Sequence, residues 1–368
     1  MKILFFIDTL GGGGAERVLA NLAGVLAERG HEVAISVNKS IQVYEVNTKV
    51  EIYFARKVSN NTGGSGIVKI MRQVRNFLSY IPCVKKIIKE YTPDVIITFM
   101  HCNIVPILLF HNRIPVISSE RAAMDNPRNS YWGRFVFNRF VDKVTVLTPY
   151  DKGYAAAKGL KDVIIMPNPL TWPVMEESEY EESFAGRKNI LACGRVDAWK
   201  VKGFDLLIRA FALIAQKYPD WKIDIAGKGS EESICYLQRL AAENGIEKRI
   251  HFMGFQKDVR SVMKDHSIFV LSSRTEGFPN VLSEAMSVGT APICFDRLAN
   301  SIVNDNVDGI LVEDQNIRKL SQALEKLMNN GVYRHQVGFN AIHNIKRYSS
   351  EKVVERWESV MEEIVSPE

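Results

Sequence analysis

The sequence is poor in the residues that build metal centres and disulfide frameworks. Among its 368 residues the five cysteines are scattered, with no Cys-x-x-Cys pair and no cysteine and histidine cluster at ligand spacing. No Asp-x-Asp triplet occurs, and no pair of histidines at ligand spacing accompanies a carboxylate. We therefore expect buried free thiols and no bound metal ion. No serine, histidine and aspartate can be picked out as a nucleophile arrangement.

The sequence also lacks an apolar run long enough to cross a bilayer. The N-terminal run, residues 3–7, stops at Asp8, and the most apolar window, residues 95–110, is interrupted by polar residues and a proline. The sequence contains no low-complexity tract. We expect a cytoplasmic protein.

Positive charge is concentrated in the first half. Residues 1–170 hold 22 Lys and Arg against 13 Asp and Glu, whereas the remainder holds 25 against 29. Residues 69–89 carry six cations and no acid, with apolar residues between them. Such a segment is typical of a helix on an anionic membrane surface, or of two surface helices divided near Pro82 with their apolar faces in the core. Binding to nucleic acid is disfavoured because no nucleic-acid motif accompanies the charge.

Strand-like apolar runs alternate with helical patterns, which predicts parallel sheets with helical crossovers. The first series of candidate strands comprises Lys2–Ile7, Glu32–Val37 and residues 94–99, 115–118, 143–147 and 162–166. The second comprises residues 189–193, 222–226, 250–253 and 268–271, Ala291–Phe295 and Ile310–Val312. Prolines in residues 167–173 and an acidic stretch after them mark the boundary between the two. We predict an α/β protein with two Rossmann-like domains, residues 1–170 and 171–345.

The most informative stretch, residues 272–290, places two carboxylates on either side of a helix start. Pro279 suits the first helical position, where free backbone donors favour an anion. A short buried strand precedes it, so Glu276 lies in the loop at the strand's carboxyl end and Glu284 about one turn into the helix. Open α/β sheets bind ligands at this edge. The spacing suits a sugar nucleotide, because carboxylates accept hydrogen bonds from sugar and ribose hydroxyls while the helix faces the phosphates.

Four consecutive glycines, residues 11–14, follow the first strand and lead into a helix. Glycine lets the backbone approach a ligand closely, as loops that cradle phosphates require. We therefore predict that Gly12, Gly13 and Gly14 contact the ligand, although a structural tight turn would need one or two of these glycines. The dinucleotide fingerprint fails, because its third glycine falls on Glu16 and no acid follows the second strand to hold a ribose.

A third loop, after the strand at residues 189–193, carries two cations. Arg195 and Lys202 bracket it, and cations there can neutralise a departing diphosphate. Lys200 is the alternative to Lys202. Farther along the chain, Asp258 is expected to cap a helix.

Together the three motifs resemble those of retaining glycosyltransferases of family four, which have the GT-B fold. The frames are Glu-Gly-Phe-Pro-Asn-x-x-x-Glu at residues 276–284, Gly-Gly-Ala-Glu at residues 13–16, and Gly-Arg followed by Lys-Gly at residues 194–203, with a slightly long gap before the lysine. The resemblance implies two domains facing a cleft and a C-terminal helix, within residues 346–368, that packs back on the first domain. The donor-binding residues that it implies are Gly227, Phe255, Gly277, Phe278, Pro279, Asn280 and Glu284.

The first domain departs from the family after its strand at residues 115–118. Related enzymes often read Ser-Glu-His there, with the histidine facing the sugar, whereas this chain has Arg121. Arginine stays protonated and cannot act as a general base near neutral pH. It could instead hold an acceptor phosphate or the donor sugar. His101 is the other candidate to face the cleft, although a lone histidine more often forms local hydrogen bonds.

The function that the resemblance implies is retaining transfer of a sugar from a nucleotide donor, a UDP-sugar, to a lipid-linked or cell-envelope glycan. Glu276 would orient the sugar and Glu284 would hold the ribose, while Arg195 and Lys202 would stabilise the leaving diphosphate in place of a metal. No cofactor besides the donor substrate is expected. The alternatives are a sugar-nucleotide epimerase or phosphorylase on the same fold, or an inactive nucleotide-sugar binding protein. The basic half leaves open a peripheral association with the inner face of an anionic membrane.

Overall fold

Two parallel sheets organise the part of the chain that the computed structural model describes, which is residues 1–11, 13–39, 44–54, 66–100, 104–125 and 132–366. For residues 66–77, 132 and 298 it describes the backbone alone. Gly12 and His101, both predicted site residues, lie outside the described residues. The chain divides into two compact units, Met1–Thr171 with Ser350–Glu368, and Trp172–Ser349. These units and their sheets confirm the predicted α/β class.

The first unit is built on a sheet whose neighbouring strands all run parallel. The strands are β1 (Lys2–Ile7), β2 (Glu32–Val37), β3 (Glu51–Phe54), β4 (Val95–Phe99), β5 (Val116–Ser119), β6 (Lys143–Val146) and β7 (Val163–Ile165). They lie in the order β3-β2-β1-β4-β5-β6-β7. The helices of this part are α1 (Gly14–Glu28), α2 (Gly66–Tyr91), α3 (Ile104–Phe110), α4 (Trp132–Phe137) and α5 (Pro149–Ala157).

Helices cover both faces of this sheet, which explains its continuously apolar central strands. Successive residues of a strand point to opposite faces. Ile3 and Phe5 of β1 accordingly belong to one buried cluster, together with residues of α1, whereas Leu4 and Phe6 belong to another, together with residues of α2. The strands that sequence patterns locate best are therefore those buried on both sides.

The second unit repeats this arrangement with its own parallel sheet. Its strands are β8 (Lys188–Cys193), β9 (Ile223–Ala226), β10 (Ile250–Gly254), β11 (His266–Leu271), β12 (Ala291–Phe295) and β13 (Ile310–Val312), in the order β10-β9-β8-β11-β12-β13. Its helices are α6 (Glu177–Phe184), α7 (Trp199–Lys202), α8 (Phe204–Ala212), α9 (Glu231–Glu243), α10 (Val259–Lys264), α11 (Asn280–Ser287), α12 (Asp296–Ala299), α13 (Ile317–Asn329) and α14 (Gly331–Ile345). As predicted, Asp258 caps α10, its Oδ1 accepting from the Ser261 backbone N–H at 3.1 Å.

The last helix, α15 (Ser350–Val365), belongs to the first unit. Its buried face, which includes Val353, Trp357 and Met361, joins the same cluster as Ile3 and Phe5. The helix thus completes the apolar cover of one face of the first sheet.

Three sequence predictions need correction here. Strand β3 was not predicted, because at the sheet edge its side chains are half-buried or exposed and its apolar signal is weak. Helix α2 runs through Pro82 without dividing. Proline has no N–H to donate to the carbonyl of Leu78, four residues earlier, but Leu78 and Pro82 are both exposed, so water can take the place of that donor. The expectation that the thiols are buried holds for Cys193 and Cys294 but not for the other two described cysteines, because Cys83 is half-buried and Cys235 is exposed.

Among the described residues, none of the helices combines the length and the apolar character needed to span a bilayer.

Candidate active site

In the second unit, three loops meet through their backbones where neighbouring strands end. Gly194 follows β8, Gly227 follows β9, and Gly254 ends β10. The Gly227 N–H donates to the Gly254 carbonyl at 2.8 Å, and the Gly194 N–H donates to the Ala226 carbonyl at 2.9 Å. A Cβ on Gly227 would lie 1.8 Å from the Gly194 carbonyl oxygen, so only glycine fits there. These loops lie at the carboxyl edge of the sheet, where ligands bind in this class of fold.

Two predicted site residues, Lys202 and Glu276, form an ion pair at this edge. Lys202 Nζ lies 2.7 Å from Glu276 Oε1, and the Ser273 hydroxyl donates to the same oxygen at 2.7 Å. The two side chains are 22% and 16% exposed. The lysine stem lies over Gly194, where a Cβ would come within 3.1 Å of Lys202 Cε. The site therefore places a cation and a carboxylate side by side, partly accessible to solvent.

Gly203 holds the end of α7 against β11, the strand that precedes Glu276. The stretch that was predicted to be a loop between Arg195 and Lys202 is helical instead, because it forms a short helical turn and α7. Its φ is +67°, in the left-handed region that favours glycine. A Cβ at this position would lie 1.7 Å from the Ser272 carbonyl oxygen, and the Ser272 hydroxyl donates to the Lys202 carbonyl at 3.1 Å. The close backbone contact brings the end of α7 to the end of β11.

The side chain of Arg274 links the loop after β11 to α7 and α8. It makes a bidentate pair with Asp205 of α8, both N–H···O distances being 2.8 Å, and this bond raises the pKa of its guanidinium. Arg274 also donates to the Lys200 carbonyl, and its own backbone N–H donates to the Val201 carbonyl at 2.7 Å. Sequence reasoning missed this clamp and Ser273. The available signal was the opposite charge of Arg274 and Asp205, each two positions outside one of the motif frames.

The start of α11 differs from the prediction by one residue. Pro279 is the N-cap rather than the first helical residue, because its ψ of 80° is not helical and its carbonyl accepts from the Leu282 N–H at 2.9 Å. Phe278 is buried, and its ring packs edge-on against that of Tyr348, with the two ring centroids 5.7 Å apart. Glu284, in the first turns of α11, is only 2% exposed.

The charge of the Glu284 carboxylate acts on Cys193, the last residue of β8. Burial raises the pKa of the Cys193 thiol, and the charge of Glu284 raises it further.

Of the other predicted donor residues, Gly277 and Asn280 are half-buried at the start of α11, and Phe255 is 76% exposed after β10. Arg195 is exposed and precedes the short helical turn Val196–Ala198.

The predicted glycine loop of the first unit follows β1. Gly13 is the N-cap of α1 and Gly14 is its first residue. The Glu16 carboxylate folds back over the loop, so a Cβ on Gly13 would lie 2.2 Å from Glu16 Oε2. A negative group at a helix N-terminus is favourable. An anionic ligand that reaches this helix end would therefore meet the Glu16 carboxylate there.

Arg121 lies inside the first unit. It is 8% exposed and donates to the Ser119 and Thr145 hydroxyls, the Met166 carbonyl and the Asn168 side chain. Burial lowers its pKa to about 9, so the side chain is still a cation at neutral pH. Its role towards a substrate stays a prediction.

The neighbour of Arg121 in the sequence, Glu120, is engaged elsewhere. Its carboxylate accepts from buried Arg134 at 2.9 Å and from the Asn138 amide at 2.8 Å. Arg134 in turn donates to the Ala122 carbonyl. The Glu120 and Arg134 pair therefore fixes the chain that follows β5.

Within the described ranges, no group of three or more His, Cys, Asp and Glu side chains has an arrangement that could hold a metal ion.

Two family models match this chain. Residues 12–170 match the model described as Glycosyltransferase Family 4, and residues 187–330 match the one described as Glycosyl transferases group 1. The chain therefore belongs to the glycosyltransferases, with a family 4 domain followed by a group 1 domain.

Similar proteins match nearly the whole length of the chain. An uncharacterized glycosyltransferase of Haemophilus influenzae is 28% identical over 382 residues, 98% of this chain and 99% of that protein. The GalNAc-alpha-(1->4)-GalNAc-alpha-(1->3)-diNAcBac-PP-undecaprenol alpha-1,4-N-acetyl-D-galactosaminyltransferase of Campylobacter jejuni is 27% identical over 372 residues, 99% of each chain. The structure of a TarM mutant of S. aureus in complex with fondaparinux, alpha-GlcNAc-glycerol and UDP has a TM-score of 0.77 at 13% identity, covering 98% of this chain and 100% of that one. This likeness shows that the fold is GT-B.

Proposed function

We propose that this glycosyltransferase transfers a sugar from a UDP-sugar to a lipid-linked or cell-envelope glycan, with retention of the anomeric configuration and without a metal ion. The observation that carries the proposal is the contact between Lys202 and Glu276 at the carboxyl edge of the second sheet. A sugar diphosphate needs a cation for its phosphates and an acceptor for its sugar hydroxyls, and this pair offers both.

The roles within the reaction follow from the charges. Arg195 and Lys202 would neutralise the leaving diphosphate, so its oxygens compete with Glu276 for Lys202. Released in part from the lysine, the Glu276 carboxylate would accept hydrogen bonds from the sugar as the anomeric bond breaks with oxocarbenium character. By analogy with the family, the leaving phosphate would help to deprotonate the acceptor on the same face of the sugar.

The donor and the acceptor class rest on the similar proteins. The TarM structure contains UDP, and the Campylobacter relative is named for an undecaprenol-diphosphate glycan. The basic first half of this chain suits an acceptor that carries a diphosphate.

The test is a donor screen followed by a transfer assay on the full chain. A UDP-sugar that binds only the native state should raise the melting temperature more than a GDP-sugar does. With polyprenyl-diphosphate glycans as acceptors, product should form in EDTA, and NMR of its anomeric proton should show the configuration of the donor. Loss of activity in EDTA that magnesium or manganese restores would contradict metal independence, and an inverted product would contradict retention.

Two outcomes would favour the other functions. Conversion of the donor to an isomeric nucleotide sugar without any acceptor would indicate an epimerase, and conversion that depends on added inorganic phosphate would indicate a phosphorylase. Tight UDP binding with neither transfer nor slow hydrolysis would indicate an inactive binding protein.

We further propose that α2 and α3 contact an anionic membrane. Lys85, Lys86 and Lys89 are exposed on α2, while Leu78 of α2 and Leu109 of α3 are among the exposed large apolar residues. Basic and apolar groups on one helical surface suit acidic lipid headgroups and the acyl boundary. The side chains of the other predicted cations, Lys69, Arg72 and Arg75, lie outside the described part.

Vesicle sedimentation tests this surface. The protein should bind phosphatidylglycerol vesicles but not phosphatidylcholine vesicles, and binding should weaken as salt is raised. Replacing Lys85, Lys86 and Lys89 by glutamine should reduce it, whereas the same change at exposed Lys217, Lys248 and Lys257 of the second unit should not. Binding that is unchanged in high salt would contradict the electrostatic contribution.

A further inference from the structure

Arg121 is a buried cation that is bound by neutral groups from several strands. Its Nε donates to Ser119 Oγ at 2.7 Å, at the end of β5, and one Nη2 bond of 3.4 Å reaches Thr145 of β6. Its Nη1 donates to the Met166 carbonyl at 2.9 Å and to Asn168 Oδ1 at 3.0 Å, both beyond the end of β7. The planar guanidinium therefore links the ends of three neighbouring strands.

Two aromatic rings lie against the same guanidinium. Its Cζ is 5.0 Å from the centroid of Phe99, at the end of β4, and 5.5 Å from that of Trp357 in α15. Trp357 is fully buried in the first unit. A cation over aromatic faces is attracted by the ring quadrupole, more so when it is desolvated. Arg121 thus contacts α15 as well as the strand ends.

The segments that Arg121 contacts include both stretches of chain adjoining the boundary between the units. Met166 and Asn168 come just before Thr171, where the chain leaves the first unit, and α15 begins at Ser350, where the chain returns to it. We propose that Arg121 is a positioning residue that fastens the outgoing segment and the returning helix to one point of the first sheet.

Arginine suits this role better than lysine or histidine would. Its fork donates in several directions within one plane while both faces remain available to rings, whereas a lysine ammonium is a compact point charge. Its donors are directed to protein acceptors from β5, β6 and the segment after β7. The same geometry argues against Arg121 as the group that binds an acceptor phosphate.

Hydrogen exchange of the purified full chain tests the proposal without relying on activity. In Arg121→Lys, amide exchange should rise by at least about tenfold in peptides covering both residues 164–171 and residues 350–358. Arg139→Lys is the matched control, because exposed Arg139 of the same unit donates to the Lys158 carbonyl. Asn168→Ala keeps the cation and removes one acceptor, and it should loosen the same two segments to a smaller degree. Unchanged exchange in both segments, or loosening of only one of them in Arg121→Lys, would overturn the proposal.

Kinetics then separate positioning from substrate contact, and this arm rests on the proposed transfer. Arg121→Lys should lower kcat by about tenfold with donor and acceptor KM within about twofold of wild type. A raised acceptor KM with unchanged kcat and unchanged exchange would make Arg121 an acceptor ligand and overturn the proposal. If the wild-type protein transfers no sugar, the proposed function fails, and the exchange measurement still decides the role of Arg121.

Discussion

Lys202 and Glu276 lie 74 positions apart in the sequence, yet Lys202 Nζ and Glu276 Oε1 are 2.7 Å apart. The pair depends on the backbone contact between Gly203 and Ser272 and on the clamp from Arg274 to Asp205. Because both side chains are partly shielded from water, the attraction between them exceeds that of a fully exposed pair. A diphosphate that binds Lys202 must compete with Glu276, so substitutions at the two residues should have coupled effects.

We expect Glu276→Gln to reduce transfer by about a hundredfold or more while UDP affinity stays the same or rises. The reason is that glutamine leaves the Lys202 charge free for phosphate while it weakens the acceptor for sugar hydroxyls. Initial rates and calorimetric UDP titration measure the two effects. Glu243→Gln, at an exposed position of α9, is the control. Wild-type turnover in Glu276→Gln would remove this residue from the site.

We expect Lys202→Met to weaken UDP binding by about ten- to a hundredfold, because the phosphates lose a cation in a partly shielded site. Lys200→Met is the matched control, since Lys200 is two residues away and exposed. It should change UDP affinity by less than about threefold. The reverse ranking of the two variants would assign the phosphate contact to Lys200.

We expect Gly203→Ala to destabilise the second unit by about 2–4 kcal/mol, because the new Cβ would collide with the Ser272 carbonyl at a strained φ. Gly331→Ala is a control in the same unit. It lies in the first turn of α14, where a Cβ meets only Arg334 Nη2, at 3.8 Å. The control should be neutral or stabilise by up to about 1 kcal/mol. Urea unfolding measures both, and equal stability of the two variants would contradict the close contact.

The strands were predictable from the sequence where burial is continuous. The candidate strands lie within about two residues of the observed ones, because strands such as β1 and β4 are covered on both faces and read as unbroken apolar runs. Edge strand β3 gave too little apolar signal. Pro82 left open a division of residues 69–89 into two helices, but α2 continues through this exposed proline.

The site was predictable as a set of residue types at a sheet edge, but its contacts were not. The motifs indicated that Lys202 follows β8 and Glu276 follows β11, whereas their pairing depends on how closely the end of α7 approaches the loop after β11. Arg274 went unnoticed because its partner, Asp205, lies 69 positions away. The burial of Arg121 follows from the convergence of four strand ends and α15, which no local pattern encodes.

We expect Glu358→Gln to lower the melting temperature at pH 7, because this residue ties α15 to the N-terminal part of the first unit. Its carboxylate accepts from Arg29 Nε at 2.9 Å and Nη2 at 2.8 Å, and His31 Nε2 lies 3.0 Å from it. The bond from Arg29, more than that from His31, holds the pKa of Glu358 below its ordinary value of 4.5.

The sign of the pH dependence follows from this lowered pKa. Below pH 4.5 the unfolded chain takes up a proton at Glu358 before the folded chain does, so the stabilisation is complete above that pH and is lost as the pH falls through the folded value. The melting-temperature difference between wild type and Glu358→Gln should therefore be present at pH 7 and should shrink as the pH falls below about 4.5. Glu362→Gln, at an exposed position of the same helix, should show no such difference. A difference that persists undiminished at the lowest pH of the folded range would mean that Glu358 stabilises α15 through packing rather than through its charge.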